Sequence, residues 1–504
     1  MKADGQADKA EPSPAIQKKE DPGSRGITEA DKLMKVDELR AEGKKPCAIW
    51  ETEDRAITLP QLQDLLAYIN RNCVSQRWTS SNPRTPGTLL EPETINLYDV
   101  VFWVVKPATR ADECSYIELI AAAKQVPRWF VSHWWGEPVH RFVECLRGHR
   151  RDRELPEACT YWVCAYANNQ WRAAAEVGDD PSESSFRRAI DKAEGTVTVL
   201  DEAAATYTRI WCSYEIFVSL TARHGGAKHL YDVYTVRADG KAVGITDGCA
   251  LLDDRYVSPV SGKAAREAGF PNGLLARALE INVDTAEASV EADRVHILNA
   301  IAGAGDLNAT PPTTHAGYER INRMLHGRFA YSSFASNTNP RDEAERLLAA
   351  MRDSGMSEMD FFRQGLQGED ATTFAAALRS GMPRDLRRLR LVVDSCGEAM
   401  WPGVAQAVGD LHELEDLALD LYCTQPAGAA AAAEFGATLG SLRHVRKLDL
   451  CFYDCRLGDE GAERIISAVA KLLALTDLVL NLHGNLLSDA TAAHLAKTIR
   501  ALPA

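Results

Sequence analysis

Trp129-Phe130-Val131-Ser132-His133-Trp134-Trp135-Gly136-Glu137 reads as a buried strand that breaks into an aromatic, Gly-containing loop. Its counterpart downstream is Arg209-Ile210-Trp211-Cys212-Ser213-Tyr214-Glu215, a helix start carrying one carboxylate beside a Trp and a Cys. Around these two stretches, apolar strand-like runs alternate with helical ones. Strands are expected at Trp129–Ser132, Tyr161–Tyr166, Thr196–Leu200 and Leu230–Val236, with helices at Val139–Gly148, Ser184–Ala193 and Ile210–Arg223. Such alternation predicts an α/β fold: a parallel sheet with helices on both faces and the strand C-terminal loops along one ligand-binding edge.

On the N-terminal side, residues 1–27 are rich in Lys, Glu, Asp, Pro and Gly and are expected to be disordered, because they bury too little apolar surface to offset ordering entropy. Residues 28–125 read as a helical N-terminal region. Apolar spacing predicts a helix from Leu59 to Ile69, with Thr58 as N-cap and Pro60 in the first turn. Leu97–Val105 fits a strand or a buried helix. On the C-terminal side, Asp239-Gly240 predicts a hairpin turn between Tyr231–Val236 and Lys241–Ile245. Residues 241–335 read as a helical extension, with helices at Asp293–Ile301 and Tyr318–Arg328. Ser332–Arg341 looks like a linker, and 336–384 reads as linker and capping helices.

The last third repeats itself. Leu389-x-Leu391-x-Val393-x-x-Cys396, Leu417-x-Leu419-x-Leu421-x-x-Thr424, Leu448-x-Leu450-x-Phe452-x-x-Cys455 and Leu478-x-Leu480-x-Leu482-x-x-Asn485 align. From Leu391 to Leu419, Leu450 and Leu480 the steps are 28, 31 and 30 residues. Each copy supplies a short strand, a turning Cys, Thr or Asn, and a helix. Residues 385–504 thereby resemble leucine-rich repeats of the ribonuclease-inhibitor type, a short α/β solenoid whose concave face binds protein partners.

Val126–Val236, within a domain placed at 126–240, resembles a Toll/interleukin-1 receptor (TIR) domain. Phe130, Ser132, Gly136 and Glu137 follow the family's F-x-S-x-x-G-E segment with one extra residue before the Gly, and Phe142 and Leu146 follow at helical spacing. The strand Thr196–Leu200, then Tyr207, then Trp211-Cys212 and Glu215 follow its W-C-x-x-E segment. Pro138, Arg209 and Ala165 depart from the family pattern. The resemblance implies a flavodoxin-like parallel sheet. Some members split NAD with a single Glu, while others only bind one another.

The enzymatic implication makes Glu215 the catalytic carboxylate and NAD a substrate, with no resident cofactor. It places Ser132, His133, Trp134, Trp135, Gly136, Glu137, Asn168 and Trp211 around the ligand. One carboxylate can suffice because the nicotinamide leaving group is already cationic and needs no general acid. Four residues apart on a helix, Trp211 and Glu215 share a face. A purely structural account is also open: Trp211 in the core, and Glu215 as a carboxylate near a helix N-terminus. The alternative function is a non-enzymatic scaffold acting through TIR-like self-association and repeat-mediated binding.

Other chemistries fit less well. Adjacent Ser132 and His133 point to opposite faces of a strand and lack a G-x-S-x-G setting, so a hydrolase triad is disfavoured. Cys145, His149, Cys159 and Cys164 have no familiar zinc spacing, and no metal is expected. No P-loop motif occurs. The net charge of −14, without a basic stripe, disfavours nucleic acid. No apolar run reaches the roughly 18 residues of a membrane span. The 12 cysteines are scattered through a chain with no apolar leader, which points to reduced thiols and a cytoplasmic signalling protein.

Overall fold

The computed structural model describes residues 45–83, 85–224, 227–247, 259–288, 290–336, 344–423 and 428–502. The stretch expected to be disordered, 1–27, and the first part of the N-terminal region lie outside the described residues. The chain is mixed α/β with parallel sheets. It forms two compact units, Met1–Asp247 with Ala276–Asn322, and Gly248–Leu275 with Arg323–Ala504. The stretch 241–335 is therefore divided: 241–247 and 276–322 belong with the first unit, the rest with the second. No helix among the described residues is long and apolar enough to cross a membrane.

The first unit is built on a six-stranded sheet. Its strands are β1 (Ile57–Thr58), β2 (Trp129–His133), β3 (Thr160–Trp162), β4 (Gly195–Leu200), β5 (Leu230–Val236) and β6 (Ala242–Ile245), in spatial order β1-β3-β2-β4-β5-β6. The four central strands are parallel, and the edge strands β1 and β6 run antiparallel to β3 and β5. Every residue of β2 and β4 is buried, as expected for strands covered on both faces. The β5–β6 hairpin turns at Asp239-Gly240, where Gly240 adopts φ +78°, a conformation that suits Gly.

The helices that cover the sheet are α1 (Leu59–Asn72), α2 (Val139–Asp152), α3 (Ser185–Lys192) and α4 (Ile210–Thr221). Thr58 caps α1 in a capping box with Gln61, and Pro60 sits in its first turn. The pleat of β2 sorts its side chains. Trp129 meets His149 of α2 at 4.3 Å between ring centroids, and His133 meets Phe142 of α2 at 5.0 Å. On the opposite face Phe130 stacks on Trp162, which in turn meets Phe186 of α3, while Ser132 reaches Glu215 of α4. This is the two-residue alternation that any strand imposes.

One expected strand is shorter, and one open segment is helical. The strand expected at Tyr161–Tyr166 stops at Trp162, and Cys164–Ala167 forms one helical turn in which two Ala favour helix. Leu97–Val105 is helical, capped by Asn96 and Asp99, and passes through a π-helical segment at Val101–Val105. The described part of the 28–125 region is mostly helical, and its strand β1 joins the sheet of the first unit.

On the α2 face lies an ionic cluster centred on the fully buried side chains of Asp232 and His149. Arg153 donates to both oxygens of Asp232, at 2.8 and 2.6 Å. His149 Nε2 sits 3.2 Å from the same carboxylate, its Nδ1 sits 3.1 Å from the Tyr161 hydroxyl, and the Asp247 amide donates to Asp232 at 2.7 Å. These partners outweigh burial and hold the Asp232 carboxyl far below the usual carboxylate range.

The second unit contains five parallel strands: β7 (Glu358–Gln364), β8 (Arg388–Cys396), β9 (Asp416–Cys423), β10 (Lys447–Cys451) and β11 (Asp477–Asn481), stacked in chain order. A helix follows each strand: Gly368–Gly381, Met400–Gly409, Ala429–Leu439, Gly458–Val469 and Asp489–Ala501. The repeated leucines are in register, Leu391 beside Leu419, Leu450 and Leu480. The turning residues bond to neighbouring backbone: Cys455 Sγ to the Leu421 carbonyl at 3.1 Å, and Asn485 Nδ2 to the Phe452 carbonyl at 2.6 Å. Strand β7 lies in the stretch read as linker and capping helices, and Ser332–Ser336, read as linker, continues a helix. Met359 and Phe361 replace the leucines there. The next inward position is Arg363, a buried guanidinium packed on Phe334 and Phe374 and pushed down to about 10 by burial.

Replacing Arg153 by Met leaves Asp232 buried without its main counter-charge. The expected loss is about 3–5 kcal/mol in denaturant unfolding at pH 7. Because the folded pKa of Asp232 is depressed, the wild-type contribution is present above the unfolded value and disappears as pH falls through the folded one. The variant should therefore show a flatter stability profile in acid.

Candidate functional site

The C-terminal ends of β2 and β3 and the start of α4 enclose a cleft of about 800 Å³, counting its open mouth. Its floor is set by Glu215, one turn into α4. The Glu215 carboxylate accepts a 2.5 Å hydrogen bond from Ser132 Oγ at the end of β2. Glu215 is 4% exposed. Burial dominates the Ser132 bond and pushes its carboxyl up to about 8. Two thiols, Cys164 and Cys212, also face the cleft and are raised by burial and by the nearby Glu215, so they stay protonated.

Aromatic rings make the walls. Trp211 stacks on Phe186 at 5.0 Å and 26°, and its indole N–H donates to Asp293 at 3.0 Å. Trp135 packs against Tyr98 at 5.4 Å and donates to Cys164 Sγ at 3.2 Å. Asn168 lies at the rim, its Oδ1 accepting from Ser185 at 2.8 Å, and Gln170 folds back onto the carbonyls of Ala165 and Asn168.

Of the residues that the resemblance places around a ligand, His133, Trp134, Trp135, Asn168, Trp211 and Glu215 line the cleft. Ser132 lies beneath and acts through Glu215. His133 contributes to the rim, but its imidazole lies on the α2 face, bonds the Val131 carbonyl, and is pushed down to about 4 by burial. Gly136 and Glu137 are not among the lining residues. Gly136 lets the Trp134 ring fold over the backbone, where a Cβ would collide with the indole. Glu137 is 3% exposed, with one oxygen lacking a hydrogen-bond partner, and burial and Asp201 push its carboxyl up to about 7.

Several lining residues escaped the sequence reading. Tyr98 arrives from the N-terminal region because residues 95–97 pair with the loop after β2: Leu97 N donates to the Trp135 carbonyl at 3.0 Å and Val139 N to the Ile95 carbonyl at 2.9 Å. Glu287 and Asp293 arrive from the far side. Glu287 exchanges backbone hydrogen bonds with the start of α4, to Thr208 O at 2.7 Å and from Ile210 N at 2.9 Å. Arg209, noted only as a departure from pattern, also lines the cleft. Among the described residues no three His, Cys, Asp or Glu side chains gather as a metal-holding group. Cys145 lies in the core, and His149 serves the Asp232 cluster.

The cleft therefore presents an acid that is largely protonated at neutral pH when empty and that ionises readily once a cation enters. Because the folded pKa of Glu215 is raised, its contribution to stability is complete below the unfolded value and is lost as pH rises through about 8. Glu215→Gln keeps an acceptor for Ser132 and never ionises. It should be more stable than wild type above about pH 8 by about 1–3 kcal/mol, and equal to it in acid, by thermal or denaturant unfolding.

No protein-family model matches this chain, and no match to a curated protein was found.

Proposed function

We propose that the first unit is a TIR-like domain that hydrolyses the nicotinamide–ribose bond of NAD, and that the second is a leucine-rich-repeat array that recognises a protein partner. The observation that carries this reading is the single buried carboxyl of Glu215, held by Ser132 at the floor of an aromatic cleft on the strand C-terminal edge. Both sequence segments that resemble the family meet there. The parallel strand order and the in-register leucines of the second unit support the same assignment.

In the reaction the C1′–N bond breaks with its electron pair going to the pyridinium nitrogen, which leaves as neutral nicotinamide. The ionised Glu215 accepts from a ribose hydroxyl and offsets the developing oxocarbenium charge. Water adds at C1′ and gives up its proton, through Glu215, to solvent, leaving ADP-ribose. Trp211 and Trp135 offer flat faces to the ring, and the cationic pyridinium itself favours the carboxylate form of Glu215. Self-association of the TIR-like domain in a cytoplasmic signalling role accompanies this reading.

A second reading, a scaffold without enzymatic activity, draws on an aromatic row in the second unit. Tyr422 stacks on Tyr453 at 5.9 Å, and Tyr453 on His483 at 5.2 Å, with Tyr453 and His483 exposed.

Nicotinamide release by purified full-length protein at high concentration tests the first reading. Glu215→Gln should lower kcat about a hundredfold or more. For wild type, kcat/KM should rise with pH and level off above about 8, because the carboxylate is the working form. Equal turnover by wild type and variant, or none by either under enforced clustering, rejects the enzyme. Tyr453→Ala combined with His483→Ala should abolish partner capture if the aromatic row is the recognition surface, and unchanged capture removes that idea.

A further inference from the structure

The walls of the cleft carry an electrostatic bias that an ordinary dinucleotide site would not. Among the described lining residues, Arg209 is the one Lys or Arg. Facing the same space are Glu215, Glu287 and Asp293. Burial, with a smaller contribution from the nearby Asp179, raises the Asp293 carboxyl above its ordinary value. Glu287 and Asp293 together slightly outweigh Arg209 and the roughly half charge of the α4 N-terminus, and Glu215 adds a third negative charge once a cation draws it into the carboxylate form. A pyrophosphate brings two further negative charges to this wall. A pyridinium ring brings one positive charge to aromatic faces and carboxylates, the arrangement that recognises organic cations.

Glu287 is held through its backbone and Asp293 through its side chain. The Glu287 backbone is paired with Thr208 and Ile210 on both sides. Asp293 is anchored by the Trp211 indole at 3.0 Å and stands at the start of the helix Glu291–Ala302. The acidic wall is therefore part of the framework that positions Trp211.

We propose that Glu287 and Asp293 make this cleft selective for a phosphate-free N-ribosyl pyridinium cation over the dinucleotide that carries the same ring. The inference rests on the hydrolysis proposed above and narrows its substrate class. The bond broken is unchanged: the pyridinium nitrogen takes the C1′–N electron pair, water adds at C1′, and the products are nicotinamide, free ribose and a proton released to solvent. Phosphate contributes nothing to this chemistry, and here it meets like charge.

Nicotinamide riboside and NAD are compared on the full-length protein by nicotinamide release, at low and high salt. The expected result is a kcat/KM for the riboside about tenfold or more above that for NAD, with the gap narrowing as salt screens the wall. The double variant Glu287→Gln, Asp293→Asn keeps an acceptor for the Trp211 indole while removing both charges, and should bring the two substrates to within about threefold. Glu215-dependent turnover that favours NAD overturns the selectivity but leaves the hydrolase reading standing. A riboside preference unchanged in the double variant overturns the role given to the two carboxylates. Failure to cleave either substrate, with no saturable binding of either to Glu215→Gln by calorimetry, ends both.

Discussion

The hydrogen bond from Ser132 at the end of β2 to Glu215 on α4 fixes the acid at the cleft floor between sheet and helix. The carboxyl it holds is almost wholly removed from water, and the bond offsets only part of the cost, so the acid sits far above its ordinary pKa. Such a group persists where the surrounding framework fixes it. That framework is β2 and β4, buried on both faces and paired residue for residue from Trp129 with Gly195 to His133 with Val199. Without that register Ser132 would not meet Glu215, and the aromatic walls would have no floor between them.

Much of this is legible in the sequence because the physics is local. The buried runs Thr196–Leu200 and Leu230–Val236, the Asp-Gly hairpin, the Thr58 cap and the leucine ladder all depend on short-range pattern. The i to i+4 spacing of Trp211 and Glu215 places both on the cleft side of α4. Pleat alternation separates Ser132 from His133, although the resemblance counts His133 among ligand contacts. The same resemblance, in naming Glu137, carries no information on which side of β2 its carboxyl falls.

The illegible part depends on long-range pairing. Nothing near Tyr98 signals that residues 95–97 hydrogen-bond to the loop after β2. Nothing near Asp293 signals an indole 82 residues away in sequence. Strand β1 contains two residues, Ile57–Thr58, too few for any period to register. Strand β7 is hidden by chemistry: Met359 and Phe361 stand where the later repeats carry Leu, and Arg363 where they carry Val, Leu or Phe. A buried guanidinium resting on two phenyl rings meets the same packing requirement by a different route.

The backbone exchange between Glu287 and the Thr208–Ile210 segment has a temporal meaning. During synthesis β2, β4 and α4 emerge first and can assemble before residues 287–293 exist. At that stage the Trp211 indole has no carboxylate acceptor and one flank of the cleft is missing. Glu287, Ala288 and Asp293 are the last lining residues to leave the ribosome, so the nascent chain passes through a stage in which the cleft is only half built.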